Sequence, residues 1–248
     1  MKTVYILWLR QMKRYLRSRS RIIGSLGQPV LFLVAFGFGF GPIFTKAVGG
    51  NYIDFLSAGI IAQSILFTAI FSGIELIWDR QFGFLKETLV APVPRFQIML
   101  GRTLGGATIA TMQGIVVFFL CFLLGFRPHD WMLVPAVILV MFIVALLFTT
   151  LGTAIASVLQ DFQGFQLIMN FLVMPLFFLS GALFPLELAP QFLKTVSLLD
   201  PLTYGVDALR GLLTGVFHLG LFLDLAVLVI LTVTLTFVGS YLFSKIEI

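Results

Sequence analysis

Apolar runs of 20 residues or more recur along this chain, parted by short turns and two longer polar passages, and no other feature restricts its fold so tightly. With 59% hydrophobic and 11% charged residues and a mean hydropathy of +1.07, the chain has too little polar surface to cover a soluble domain. Roughly 20 apolar residues are needed per membrane crossing, so about six crossings fit into 248 residues with little left over. A closed barrel would need short alternating segments, whereas these runs are long and unbroken. The expected fold is therefore all-α: one polytopic transmembrane domain over residues 1–248 with six membrane-spanning helices.

The runs place these spans at Gly24 to Phe44, Tyr52 to Trp78, Phe96 to Phe126, Trp131 to Leu159, Gly164 to Phe184 and Leu219 to Phe243. Gly37 with Gly41, and Gly101 with Gly105, have the spacing that lets two helices approach closely. Ahead of the first span, residues 1–23 read as an interfacial amphipathic helix. Lys2, Arg10, Lys13, Arg14, Arg17 and Arg21 share one arc toward anionic lipid, with Val4, Tyr5, Trp8, Met12, Tyr15 and Leu16 on the other. Threading the chain this way leaves twelve basic residues on one side and four (Lys46, Arg127, Lys194, Arg210) on the other, which puts both termini in the cytoplasm. The basic excess therefore concerns orientation and is no nucleic-acid signal. Arg102 is close enough to its span end to snorkel.

Two polar passages break the pattern. Residues 79–95 form an inner loop in which Phe84, Leu85, Thr88 and Leu89 gather on one face of a short helix that Pro92 and Pro94 bring to a stop. Such a stub, with Phe84 and Leu85 facing outward, reads as a plug for a partner's groove. Residues 185–218 carry Pro185, Pro190 and Pro201 among Glu187, Lys194, Asp200, Asp207 and Arg210. Asp200 before Pro201 is a helix start and Gly215 a stop, and a helix of that length is too short to cross a hydrocarbon layer of about 30 Å. Residues 185–218 are thus expected to be a re-entrant hairpin of two short helices on the outer side.

Little in the chain suggests chemistry of its own. No GxxxxGK[ST] phosphate loop, HExxH motif or cysteine cluster occurs, and Cys121 stands alone in an apolar run. Asp54, Glu75, Asp161 and Asp224 fall near span ends, where water or a local partner would satisfy them. Gln63, Gln113 and Asn170 lie deeper, either bonding between helices or lining a passage. The scarcity of mid-membrane carboxylates argues against an ion-coupled carrier and fits passage of a greasy or amphipathic molecule.

The run Trp78 to Glu87 (WDRQFGFLKE), followed by Leu89 to Val93 and Arg95, resembles the coupling-helix loop of type-two ABC export permeases, nearest the daunorubicin-resistance multidrug branch. A second matching block is Leu199 to Gly215 (LDPLTYGVDALRGLLTG). The resemblance implies a prokaryotic inner-membrane transport subunit that is not itself an enzyme. It also implies a second permease copy or paralogue, separate ATPase subunits that hold the ATP and magnesium, and a hydrophobic substrate exported from the cytoplasm. By position, Gly83, Phe84, Leu85, Lys86 and Leu89 would seat in the ATPase cleft, with Arg80 and Glu87 at its edge. Asp200, Pro201, Tyr204, Asp207 and Arg210 would belong to an outer gate. Two other readings share parts of the pattern: a permease for polysaccharide or lipid-linked glycan, and a membrane scaffold that recruits a soluble partner without transport.

Overall fold

The computed structural model describes residues 2–47 and 51–246. Eleven helices occur among them, in the order α1 (Lys2–Arg17), α2 (Arg19–Ala47), α3 (Tyr52–Phe71), α4 (Ile74–Gln81), α5 (Phe84–Val90), α6 (Arg95–Leu123), α7 (Val134–Val158), α8 (Phe162–Leu179), α9 (Gln191–Ser197), α10 (Pro201–Thr214) and α11 (Leu221–Ser244). The described residues contain no strand. Six segments are long and apolar enough to cross a membrane: Arg19–Pro42, Tyr52–Gln81, Arg95–Leu123, Trp131–Val158, Phe162–Leu179 and Leu221–Ser244. The six expected spans are present, with ends shifted by a few residues.

Helix α3 is the central post. Leu56, Ile60, Ile61, Ile65, Leu66 and Ile70 are fully buried around its whole circumference, where α2, α6, α7 and α10 pack. Such all-round apolarity is what a helix enclosed by others requires. Close approach is achieved with glycines. A Cβ at Gly59 would overlap the Ala182 backbone, and one at Gly152 of α7 would overlap the Ile70 carbonyl. Of the two spaced glycine pairs, Gly101 and Gly105 seat α1 against α6, facing Val4, Leu7 and Gln11, whereas Gly37 meets only Ile53 at 3.6 Å.

Two boundaries depart from expectation. The N-terminal helix ends at Arg17 rather than near residue 23, because the Ser18 carbonyl accepts the amides of Arg21 and Ile22 and begins α2 there. The second span breaks at Ser72 and Gly73, where a Cβ on Gly73 would collide with the Gly152 carbonyl. Residues 48–50 of the expected Thr45 to Asn51 turn lie outside the described residues.

Helix α8 packs one stripe inward, Phe165, Met169, Val173 and Phe177. Its other side exposes Leu167 and Phe171 together with Gln163, Gln166 and Asn170, so Asn170 neither bonds between helices nor is buried.

Candidate functional site

At the end of the bundle where α1, α4 and α5 meet, charges are buried and matched. Asp79 on α4 receives a two-pronged guanidinium from Arg10 of α1 at 3.1 and 3.2 Å, a bond from Arg102 of α6, and Arg14 at 3.7 Å. Glu75, one helical turn earlier, pairs with Arg21 and lies 3.9 Å from Arg14. Both carboxylates are nearly inaccessible, as is Arg102. Buried charge is tolerable only when paired and hydrogen-bonded, and here each acid is answered by arginines from other helices. Two expectations fail for the same reason. Arg102 does not snorkel, and the N-terminal basic arc is not simply turned to lipid, because Arg10 and Arg14 of α1 and Arg21 of α2 point to acids some sixty residues away in sequence. Lys2, Lys13 and Arg17 remain exposed.

This cluster holds α5. Gly83 precedes it with φ +80°, a left-handed conformation that favours glycine, and Ala91 returns to extended backbone after it. The Arg10 guanidinium stacks 3.5 Å over the Phe84 ring, and Leu85 is buried at 2% exposure. The expected outward plug of Phe84 and Leu85 is therefore corrected: an arginine covers Phe84, and Leu85 belongs to this chain's own core. The exposed groups are Phe82, Lys86, Glu87 and Val90, with Leu89 half-buried. Arg80 is also turned inward, donating to the Leu159 and Ser157 carbonyls at 3.0 and 3.1 Å and so capping the end of α7. Arg95 donates to the Ser244 carbonyl and, at 3.0 Å, to that of Ile246, which ties the loop to the end of α11. A cavity of about 470 Å³ opens beside α5, walled by Leu85, Leu89, Val158 and Leu242.

The opposite end is built around α10. The Asp200 side chain accepts the Leu202 amide at 2.8 Å as the helix cap, Pro201 needs no amide donor, and Gly215 ends the helix at φ +82°. This helix is sunk among α3, α7, α8 and α11, whereas α9 stays at the surface with Phe192 exposed. The Tyr204 hydroxyl donates to the Leu198 carbonyl at 2.8 Å and joins the two short helices. Asp207 accepts the amides of His218 and Leu219 at 2.8 to 3.2 Å, folding the following loop back over α10.

Charge matching at this end is poor. Arg210 is buried, donates to the Gly181 carbonyl at 2.9 Å and lies 3.8 Å over the Phe55 ring, yet it forms no ion pair among the described residues and its Nε has no partner. Burial brings its pKa down to about 10, against the pull of Asp207 and Glu187. Burial pushes the Asp200 carboxyl up to about 7, against the Leu202 amide, and its Oδ2 has no partner. Asp224 was expected to meet water or a local partner near its span end. It is instead fully enclosed, and the charged neighbour it faces is Asp207. His218 and Glu187 meet at 2.6 Å at the surface.

Among the deeper polar groups, Gln113 accepts from Tyr15 and Ser25, which links α6 to α1 and α2. Gln63 is buried with both amide atoms unpartnered, beside a cavity of about 210 Å³ between α2 and α3. No group of three or more potential metal ligands occurs among the described residues.

Comparison with known proteins now fits onto this geometry. Residues 2–214 match the family described as ABC-2 type transporter, a stretch that includes the inner cluster, α5 and all of α10. The chain is 28% identical to a putative transport permease, ycf38, of Cyanophora paradoxa, over 98% of this chain and 88% of that one. It is 27% identical to nodulation protein J of Rhizobium leguminosarum bv. viciae, over 79% and 76% of the two chains. The inner membrane transport permease YadH of Escherichia coli K12 is 27% identical over 92% and 89%. With six spans and a match over most of its length, this chain belongs to the ABC-2 type transporter family of membrane-spanning transport permeases.

Proposed function

We propose that this chain is the permease subunit of an ATP-driven exporter that moves amphipathic, drug-like or lipid-like molecules out of the cytoplasm or inner leaflet, close in kind to daunorubicin-resistance permeases. The inner cluster faces the cytoplasm of a prokaryotic inner membrane, and both termini lie on that side. ATP and magnesium belong to separate ATPase subunits that this chain recruits.

One observation carries the reading. Helix α5 stands braced from within by Leu85 and by Arg10 over Phe84, while Phe82, Lys86, Glu87 and Val90 point away from the chain. A seven-residue helix cannot be stable alone, so bracing by a buried ion cluster favours a rigid knuckle that transmits force over a flexible linker. Movement of a partner against α5 would pass through Asp79 and Glu75 to α1, α2 and α6, shifting access from one side to the other. The exposed Gln163, Gln166 and Asn170 of α8 favour a second permease copy or paralogue against that span, since polar side chains are costly to leave against lipid.

The test is co-purification with the ATPase subunit. Phe82→Asp and Val90→Asp are expected to abolish capture of the ATPase while leaving insertion and thermal stability intact, and undiminished capture would remove the coupling reading. Substrate-stimulated ATPase activity of the reconstituted complex, assayed with amphipathic drugs against lipid-linked glycans, identifies the cargo class.

A further inference from the structure

Helices α9 and α10, with the loop that follows α10, enclose a cavity of about 220 Å³ that the transport reading does not use. This far exceeds the roughly 10–15 Å³ that a single water needs. Leu186, Leu198, Val206 and Leu219 form its apolar wall. Four charged side chains, Glu187, Lys194, Asp207 and Arg210, and the His218 imidazole also line it.

The two acids are already engaged. Asp207 receives the His218 and Leu219 amides, and Glu187 receives His218 Nδ1. The hydroxyls of Ser180, Ser197 and Thr203 each donate to a backbone carbonyl. Neither cation is in contact with an acid among the described residues. Arg210 is more than nine-tenths buried with Nε unpartnered, and Lys194 has no ion pair among the described residues. A buried guanidinium with no carboxylate in direct contact is a costly arrangement that an incoming anion would relieve. Of the wall residues, Leu198 is exposed, and Leu188, Phe192 and Leu199 in the same stretch of chain are exposed as well.

We propose that this pocket binds the anionic head group, phosphate or carboxylate, of an amphiphile. Arg210 and Lys194 grip the head, and the apolar wall of Leu186, Leu198, Val206 and Leu219 takes the start of the tail. A guanidinium meets such a head with two parallel bonds and an ammonium with one, so the two cations divide the work between direction and charge. The site stands on hairpin geometry alone and does not require that α5 couple to an ATPase.

Purified full-length protein in maltoside micelles, titrated with decyl phosphate, decanol and inorganic phosphate and read by native mass spectrometry, tests this. Decyl phosphate is expected to give one saturable adduct, weakened about tenfold or more in Lys194→Gln and further in Lys194→Glu, and lost in Arg210→Gln. Because Arg210 also holds the Gly181 carbonyl and its replacement can prevent folding, the half-buried Lys194 carries the decision. Saturable inorganic phosphate binding that is lost in Lys194→Gln would support the same anion site with a free ion as its source. The absence of any adduct, equal binding of decanol, or decyl phosphate binding indifferent to both Lys194 substitutions would overturn it.

Discussion

The two ends of this bundle treat buried charge in opposite ways. Near α1 and α4, Asp79 and Glu75 are met by Arg10, Arg14, Arg21 and Arg102, with every acid in contact with more than one arginine. Around α10, Asp200, Arg210 and Asp224 are buried without an ionic partner among the described residues. Matched charge from four helices locks relative position, because moving any one helix strands a charge in a poorly solvating interior. A buried polar group without a partner carries a standing cost that a neutralising contact would relieve. One end is cross-braced by charge, and the other is not.

The sharpest way to break this comparison is Asp79→Ala. Removing the acid leaves Arg102 buried without its counter-charge, and breaking a buried pair from one side costs about 3–5 kcal/mol. A large drop in melting temperature is expected, with partial recovery in Asp79→Ala combined with Arg102→Met. If the single variant melts like the parent, the cluster is not a lock.

Asp200 probes the other end with a milder effect. Its folded carboxyl titrates near 7, above the ordinary carboxylate value of about 4, so between those values the folded chain holds a proton that the unfolded chain releases. Its contribution to stability is therefore full below about pH 4 and is lost as pH rises through about 7. Asp200→Asn keeps the oxygen that accepts the Leu202 amide and is expected to flatten this slope in melting curves taken from pH 4 to 8. Equal slopes in both proteins would contradict an enclosed carboxyl.

The smallest effect is expected from Glu187→Gln. Its pair with His218 is open to solvent, 39% and 54% exposed, and such pairs contribute under about 1 kcal/mol. A shift of no more than a few degrees in melting temperature is expected; a loss rivalling that of Asp79→Ala would erase the contrast between the ends.

What could be read from the chain beforehand follows the same division. Span number, the helix start at Asp200 and Pro201 and the stop at Gly215 were all legible, because apolar length and capping chemistry are local properties. The direction of the N-terminal basic arc was not. Periodicity puts Arg10, Arg14 and Arg21 on one face but cannot say whether lipid head groups or Asp79 and Glu75 lie opposite. Leu85 illustrates the same limit: an apolar residue on a short helix is drawn equally to a partner's groove and to its own chain's core, and tertiary packing decides between them. The break at Ser72 was hidden because Gly73 needs its small size for the backbone of Gly152, some eighty positions away in the chain.

That break has a mechanical corollary. An uninterrupted helix from Tyr52 to Gln81 would be one stiff rod running from beside α5 straight into the bundle's centre. Interrupted where Gly73 sits backbone to backbone on α7, the span instead divides into a buried post and a short end segment whose acids are tied to the arginines of other helices, so the two parts are anchored by different contacts.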